Sequence, residues 1–139
     1  MIRLLDASAV LAWLRGEGEA AGQVRRLLLS ARRGKLQLIM SVLNLGEVYY
    51  RIAKVSDESS ARQILERFRL TPVAVLPVEN PLVFQAASLK ARFPISYADS
   101  FAAALAIERG ARLITGDPDF QPLEDARILK VQWLARSRR

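Results

Sequence analysis

The 139 residues fit a single domain over residues 1–139, which would bury roughly two-thirds of the surface of its unfolded chain. The chain contains no Cys and no His, which excludes disulfides, thiol nucleophiles, zinc fingers and catalytic triads that use an imidazole base. With 21 Lys and Arg against 14 Asp and Glu, the net charge is +7, which favours a polyanionic partner such as nucleic acid over an indifferent basic surface.

Predicted strands and helices alternate along the chain. An apolar run that ends at Asp6 is typical of a strand buried on both faces, and the glycines near residue 17 separate the first two helices. The first half of the sequence predicts, in order, a strand, two helices, a strand, two helices and a strand, over Ile2–Leu5, Ala9–Leu14, Glu19–Arg33, Lys35–Ser41, Val42–Val55, Asp57–Arg69 and Pro72–Val78.

The second half of the chain predicts two helices and two strands. Asn80 is expected to cap a helix that ends before Pro94, and a nearly all-apolar helix follows over Tyr97–Arg109. The last two strands are predicted over Arg112–Thr115 and Arg127–Val131. Because strands alternate with helices, we expect parallel pairing through right-handed crossovers and hence an α/β fold, a three-layer α/β/α sandwich.

No stretch of the sequence predicts a membrane span. The longest unbroken apolar run, Phe101 to Ile107, has seven residues, and no secretory signal is apparent at the start of the chain. We therefore expect a soluble, cytoplasmic protein.

Two acids lie where strands are predicted to end. Asp6 follows the first strand and Asp117 follows the fourth. Taken singly, each is explained by local structure, Asp6 as a helix cap and Asp117 as a turn residue. Ligand sites of open parallel sheets form beyond the carboxyl ends of the strands, where the strand order reverses. A reversal between the first and fourth strands would bring both carboxylates to one site.

A third acid, Glu47, lies on a polar strip of its predicted helix, together with Asn44, Arg51 and Lys54. The simpler interpretation of this strip is a solvent-exposed face with an ion pair between Glu47 and Arg51, worth about 0.3 to 0.5 kcal/mol. A functional role for Glu47 is the alternative.

A fourth acid, Asp99, begins a helix face made of Ala102, Ala103 and Ala106, with no cation on that face. With Ser96 it resembles a capping box, and a functional role is equally open. Several carboxylates in one crevice repel one another unless a cation binds them, and oxygen ligands without His or Cys suit Mg²⁺ or Mn²⁺.

Four motifs in the chain resemble those of the PIN domain, in the same order: Leu5-Asp6-Ala7-Ser8, Asn44-Leu45-Gly46-Glu47-Val48, Tyr97-Ala98-Asp99-Ser100-Phe101 and Thr115-Gly116-Asp117-Pro118-Asp119-Phe120. They are most similar to the VapC-type toxins of bacterial and archaeal toxin–antitoxin pairs. The resemblance implies a mostly parallel five-stranded sheet in the order 3-2-1-4-5 and metal-dependent endoribonuclease activity. It places the family's catalytic and metal-binding acids at Asp6, Glu47, Asp99 and Asp117.

The remaining site residues are expected to support these acids or to contact RNA. The resemblance implies a supporting hydroxyl at Thr115 and an additional acid at Asp119. Ser8 and Thr115 are expected to orient carboxylates by hydrogen bonds. Bound Mg²⁺ or Mn²⁺ would activate a water molecule and stabilise charge on the scissile phosphate, so that no histidine base is needed. Candidate phosphate contacts, each with ordinary surface charge as its alternative, are Arg51 and, as weaker ones, Lys54 and the C-terminal arginines Arg136, Arg138 and Arg139.

The resemblance also implies partners: RNA, a cognate antitoxin protein and a second copy of the chain in a homodimer. Three alternatives stay open. One is a PIN-like module that binds RNA or protein without cutting, and another is an RNA-processing nuclease that is not a toxin. The third, a phospho-receiver module, needs an acidic pair before the first helix, whereas Leu4 and Leu5 precede Asp6.

Overall fold

A five-stranded sheet in the order β3-β2-β1-β4-β5 forms the middle layer of the molecule, and all four pairings between its strands are parallel. A computed structural model describes residues 1–16 and 18–136. The strands are β1 (Ile2–Leu5), β2 (Gln37–Ser41), β3 (Val73–Leu76), β4 (Arg112–Thr115) and β5 (Val131–Trp133). The predicted strand order is confirmed.

Helices cover both faces of this sheet. They are α1 (Ala7–Arg15), α2 (Gly18–Arg32), α3 (Val42–Val55), α4 (Glu58–Phe68), α5 (Asn80–Arg92), α6 (Tyr97–Arg109) and α7 (Gln121–Asp125), the last preceded by a 3-10 turn over Pro118–Phe120. None of the helices in the described part of the chain has the length and apolarity that a membrane span requires.

The core is divided into two layers because successive strand residues point to opposite faces of the sheet. Leu4 packs on the side of α5, α6 and α7, whereas its neighbour Leu5 packs on the side of α1 to α4. The alanine face of α6 is buried throughout, which lets this helix lie close to the sheet. The predicted three-layer α/β/α sandwich is therefore confirmed.

Two local predictions are wrong. The fifth strand occupies Val131–Trp133 rather than 127–131, because Arg127 adopts a left-handed φ of 61° and the Ile128 N–H donates to Leu123 O at 3.2 Å, so this segment is a turn. Asn80 is the first helical residue of α5 rather than its cap, and the preceding Glu79 makes no capping side-chain bond. The 3-10 turn and α7 have no counterpart in the predicted elements.

The topology brings four chain segments to one edge of the sheet. β1 and β4 are neighbours, so Asp6 and the turn after Thr115 follow adjacent strands. The helix α3 starts directly after β2, and α6 leads back to the start of β4, so its first turn also lies at this carboxyl edge. The strand order reverses between β1 and β4, which is where α/β sheets form their ligand sites.

Candidate active site

Asp6 caps α1 and is almost fully enclosed, with 2% of its surface exposed. Its Oδ1 accepts hydrogen bonds from the Ala9 N–H at 2.9 Å and from Ser8 Oγ at 2.7 Å, and its Oδ2 accepts one from Thr115 Oγ1. Burial raises the pKa of Asp6 to about 6, helped by the nearby charge of Asp117, although the three hydrogen bonds oppose that rise.

The hydroxyls of Ser8 and Thr115 join the ends of β1 and β4. Both donate their single hydrogen to Asp6, and both also accept, Ser8 Oγ from the Gly116 N–H at 3.1 Å and Thr115 Oγ1 from the Asp117 N–H at 3.0 Å. The same two hydroxyls therefore orient the Asp6 carboxylate and position the backbone that carries Asp117. The sequence predicted that these hydroxyls bind carboxylates, whereas their bonds to the Gly116 and Asp117 N–H groups were not predicted. Their role in a catalytic site stays a prediction.

Asp99 lies in the first turn of α6, where Ser96 Oγ accepts a hydrogen bond from the Asp99 N–H at 3.1 Å. Ser96 therefore caps the helix as expected, while the Asp99 carboxylate is left beside the other acids. Burial, followed by repulsion from Asp117, Asp6 and Glu47, raises the pKa of Asp99 to about 7, against a smaller opposing hydrogen bond from Ser96. The two interpretations of Asp99 are therefore compatible, because its N–H takes part in the helix cap while its carboxylate lies beside the other acids.

Asp117 and Asp119 complete an oxygen cluster with Asp99. One carboxylate oxygen from each of these three residues lies within 4.8 Å of the other two. Asp117 also caps the 3-10 turn, because its Oδ1 accepts from the Asp119 N–H at 2.9 Å, and this bond holds the two acids next to each other. Asp119, expected from the sequence only as an additional acid, therefore belongs to the same cluster as Asp117.

Glu47 is buried, with 8% of its surface exposed, and is close enough to Asp99 to raise the pKa of that residue. Its Oε2 pairs with Arg51 at 2.9 Å, while its Oε1 is buried and has no partner within the described part of the chain. Asn44, one turn earlier, is fully buried and donates from Nδ2 to Ala98 O at 3.1 Å. The solvent-exposed face considered for this strip is therefore wrong for Asn44 and Glu47, although the expected Glu47–Arg51 pair is present.

The candidate phosphate contacts differ in position. Arg51 and Arg136 line a cleft beside Asp117, whereas Lys54 is exposed in the last turn of α3 and is not among the described residues that line this cleft. Arg138 and Arg139 lie outside the described residues.

The burial of Asn44 is one feature of the site that sequence reasoning missed. Its contact with the residue before Asp99 depends on how α3 packs against α6. Its sequence signals are its place in the motif over residues 44–48 and its spacing of three residues from Glu47.

Comparison with known proteins identifies the family to which the chain is similar. The family model for the PIN domain matches residues 3–125. No curated protein matches the chain by sequence.

Solved structures with the same fold come from toxin–antitoxin systems. They include VapBC2 from Rickettsia felis bound to a DNA fragment from its promoter, with a TM-score of 0.74 and 19% identity over 97% of this chain and 100% of that one. VapC20 from Mycobacterium tuberculosis, a toxin that cleaves the sarcin–ricin loop, has a TM-score of 0.71 and 21% identity over 88% and 95%. DNA-bound VapBC from Salmonella typhimurium has a TM-score of 0.71 and 16% identity over 95% and 98%.

At these identities the structural likeness shows the fold, whereas the family model matches most of the chain in sequence. The structural likeness agrees with the parallel five-stranded sheet. The chain belongs to the PIN domain family.

Proposed function

We propose that this protein is a metal-dependent endoribonuclease and the toxin of a toxin–antitoxin pair. The observation that carries the proposal is the convergence of Asp99, Asp117 and Asp119, with carboxylate oxygens within 4.8 Å, at the edge where Asp6 and Glu47 are also buried. Buried carboxylates that repel their neighbours around one crevice, as Asp6 and Asp99 do, are costly for a protein unless a cation compensates them.

The residues fit a divalent cation that prefers oxygen. The donors are all carboxylates, which suits Mg²⁺ or Mn²⁺ rather than a metal that prefers nitrogen or sulfur. Two features indicate negative charge that the described residues leave uncompensated: burial and neighbouring acids raise the pKa of Asp99, and the buried Oε1 of Glu47 has no partner among those residues. In this proposal Asp99, Asp117 and Asp119 hold the cation, with Asp6 and Glu47 completing the negative site. When bound, such a cation lowers the pKa of a water molecule and stabilises charge on a scissile phosphate.

The protein's own side chains keep this site in shape. Ser8 and Thr115 hold Asp6 and the Asp117 backbone in one arrangement before any ligand arrives, which is the preorganisation that a polar catalytic site needs. Arg51 pairs with Glu47 on one side and reaches the cleft on the other, so it is placed to meet a phosphate group next to the acids.

Support for RNA as the substrate comes from the net charge of +7 and from the structural neighbour VapC20, which is a toxin that cleaves the sarcin–ricin loop. Several neighbours are toxin–antitoxin complexes, which supports a cognate antitoxin as partner. A homodimer and a cytoplasmic location complete the proposal.

The experiment that tests the activity compares RNA cleavage by the wild type and two variants. We expect cleavage with Mg²⁺ or Mn²⁺, none with EDTA, and a loss of at least about 100-fold in Asp99→Asn. Asp57→Asn is the matched control, because Asp57 also lies at a helix start but is outside the cluster. Full cleavage by folded Asp99→Asn would remove this acid from the mechanism, and RNA binding without cleavage by the wild type would favour a non-cleaving module.

The toxin role has its own test. Production of the wild type without its partner is expected to arrest growth, and co-production of the small protein encoded next to it is expected to restore growth. Normal growth in the presence of demonstrably active nuclease would assign the protein to RNA processing instead.

A further inference from the structure

A cleft of about 950 Å³ opens next to the acid cluster and reaches it at Asp117. It is lined by the turn after β4, by the end of α1 and the start of α2, with Arg15, and by the C-terminal segment over residues 134–136. Its size is well above that of a site for a single ion and is at the upper end of the range for small-molecule sites.

Hydrogen bonds connect the segments that line the cleft. The Leu134 N–H donates to Thr115 O at 2.9 Å, and the Ala135 N–H donates to Gln23 Oε1 of α2 at 2.8 Å. The guanidinium of Arg25, also in α2, donates to Gly16 O at the end of α1 at 3.2 Å. The C-terminal segment is thus held against the same residue, Thr115, that supports Asp6, so the cleft and the acid cluster share one framework.

Three arginines line the cleft: Arg15, Arg51 and Arg136. Arg51 is paired with Glu47, whereas Arg15 and Arg136 take part in no ion pair between described residues. The lining also includes two acids, Glu19 and Asp117, and the second of these belongs to the proposed cation site. Guanidinium groups without a carboxylate partner, next to a proposed phosphodiester-cleaving site, suit phosphate oxygens.

The rest of the lining offers little for recognising bases. Its other described side chains are small, aliphatic or hydroxylic, and they include neither an aromatic ring nor a side-chain amide. Proteins that recognise single-stranded bases stack them on aromatic rings and bind their edges with amide and other polar side chains.

We propose that this cleft binds the sugar–phosphate backbone of RNA next to the bond that is cut, with Arg15 and Arg136 as phosphate contacts, and that it does not select a base sequence. The proposal rests on the proposed function, because it takes the acid cluster as the place of cleavage. It assigns a role to Arg15 that the sequence did not suggest, and it places sequence preference elsewhere on the molecule.

The test measures the salt dependence of RNA binding in EDTA, where no divalent cation supports cleavage. The probes are fluorescent 12-nucleotide oligouridine and oligoadenosine, and the cleft variant is R15Q/R136Q. The matched control is R33Q/R109Q, which loses the same charge at the opposite edge of the sheet, where α2 and α6 end before β2 and β4. All of these arginines are exposed, so we expect both variants to fold, and a melting curve for each checks this.

For single strands each neutralised phosphate contributes about 0.7 to the slope of log K against log salt. With Arg15, Arg136 and Arg51 as three contacts, raising salt from 50 to 200 mM is expected to weaken binding about 20-fold in the wild type and in R33Q/R109Q. In R15Q/R136Q only Arg51 is left, so the expected loss is about threefold. The two probes should give the same slopes, because the contacts are to phosphates.

Several results would overturn the proposal. Equal slopes in the two double variants would mean that the cleft arginines act only through net charge. A loss confined to one probe would show that the cleft reads bases. Normal RNA binding by R15Q/R136Q together with lost antitoxin binding would assign the cleft to a protein partner. If the wild type cuts RNA in Mg²⁺ in spite of such a result, only the cleft assignment fails, whereas a wild type that neither binds nor cuts RNA also refutes the proposed function.

Discussion

Removing the charge of Asp99 is expected to stabilise the metal-free protein at neutral pH. The pKa of this residue is raised from 3.8 to about 7 in the folded state, chiefly by burial and then by Asp117 and Asp6. The folded state therefore holds a proton more tightly than the unfolded state does, so stability falls as pH rises from about 4 through about 7. Asp99→Asn has no such proton to lose, and its stability should not show this decline.

The size of the effect follows from the pKa. After allowance for screening by solvent at the open side of the carboxylate, ionised Asp99 costs the folded state about 1 to 2 kcal/mol at pH 8. For a domain of this size the corresponding rise in Tm is about 3 to 7 °C in Asp99→Asn. The difference between variant and wild type should be near zero at pH 4 and should grow until about pH 7. Asp6, whose pKa is about 6, adds a decline of the same sign in both proteins.

The assay is a series of thermal melts in EDTA between pH 4 and pH 8, with unfolding monitored by circular dichroism. Asp57→Asn serves as the control of opposite sign. Hydrogen bonds from Ser60 lower the pKa of Asp57, so its charge stabilises the folded state above the unfolded pKa, and this contribution is lost as pH falls. A Tm difference for Asp99→Asn that is constant from pH 4 to pH 8, or that has the sign of the Asp57→Asn difference, would refute the reasoning that burial and the neighbouring acids raise the pKa of Asp99.

Two further predictions concern the hydroxyl network and the cation. Thr115→Val leaves the Asp117 N–H and an Asp6 oxygen without a partner, so we expect it to lower the free energy of unfolding in urea by about 1 to 3 kcal/mol. The loss should exceed that of Thr71→Val, whose hydroxyl makes one hydrogen bond within a turn. Equal losses would contradict the supporting role of Thr115. Mn²⁺ at a hundredfold excess over its Kd should stabilise the wild type by about 2.7 kcal/mol. The resulting rise in Tm should be smaller in Asp117→Asn but unchanged in Asp57→Asn. Equal rises in the wild type and both variants would place the cation elsewhere.

The sequence predicted the layers of the fold because buried parallel strands have an unmistakable pattern. Runs such as residues 38–40 are apolar on both faces, and turns or caps separate them from helices with a single apolar face. The order of the strands came from the resemblance to the PIN domain and not from this pattern. The fifth strand was misplaced because Ile128 and Leu129 are as apolar as Val131–Trp133, and nothing in the sequence reveals the left-handed conformation of Arg127.

The sequence was enough to identify most residues of the candidate site, but not to predict how deeply they are buried or what they contact. Asp6 and Asp117 were identifiable because they follow strands. The burial of Glu47 was not, since the polar strip of α3 is covered only once α6 packs against it, a contact between distant parts of the chain. Asp119 is held in the cluster by the hydrogen bond from its backbone N–H to Asp117 Oδ1. The pattern of side chains in the sequence does not predict this bond, because it depends on the 3-10 turn.

The central claim, that carboxylates and a cation direct water at a phosphodiester bond, is tested most directly by the products of cleavage. RNA is cut by the wild type with Mg²⁺ or Mn²⁺ in water enriched in oxygen-18, and the new ends are examined by mass spectrometry. Attack by water forms one new P–O bond and breaks another, so we expect a linear terminal phosphate with one oxygen-18 atom and a free hydroxyl on the other fragment. A 2′,3′-cyclic phosphate without oxygen-18 would show attack by the RNA's own 2′-hydroxyl and would contradict the account.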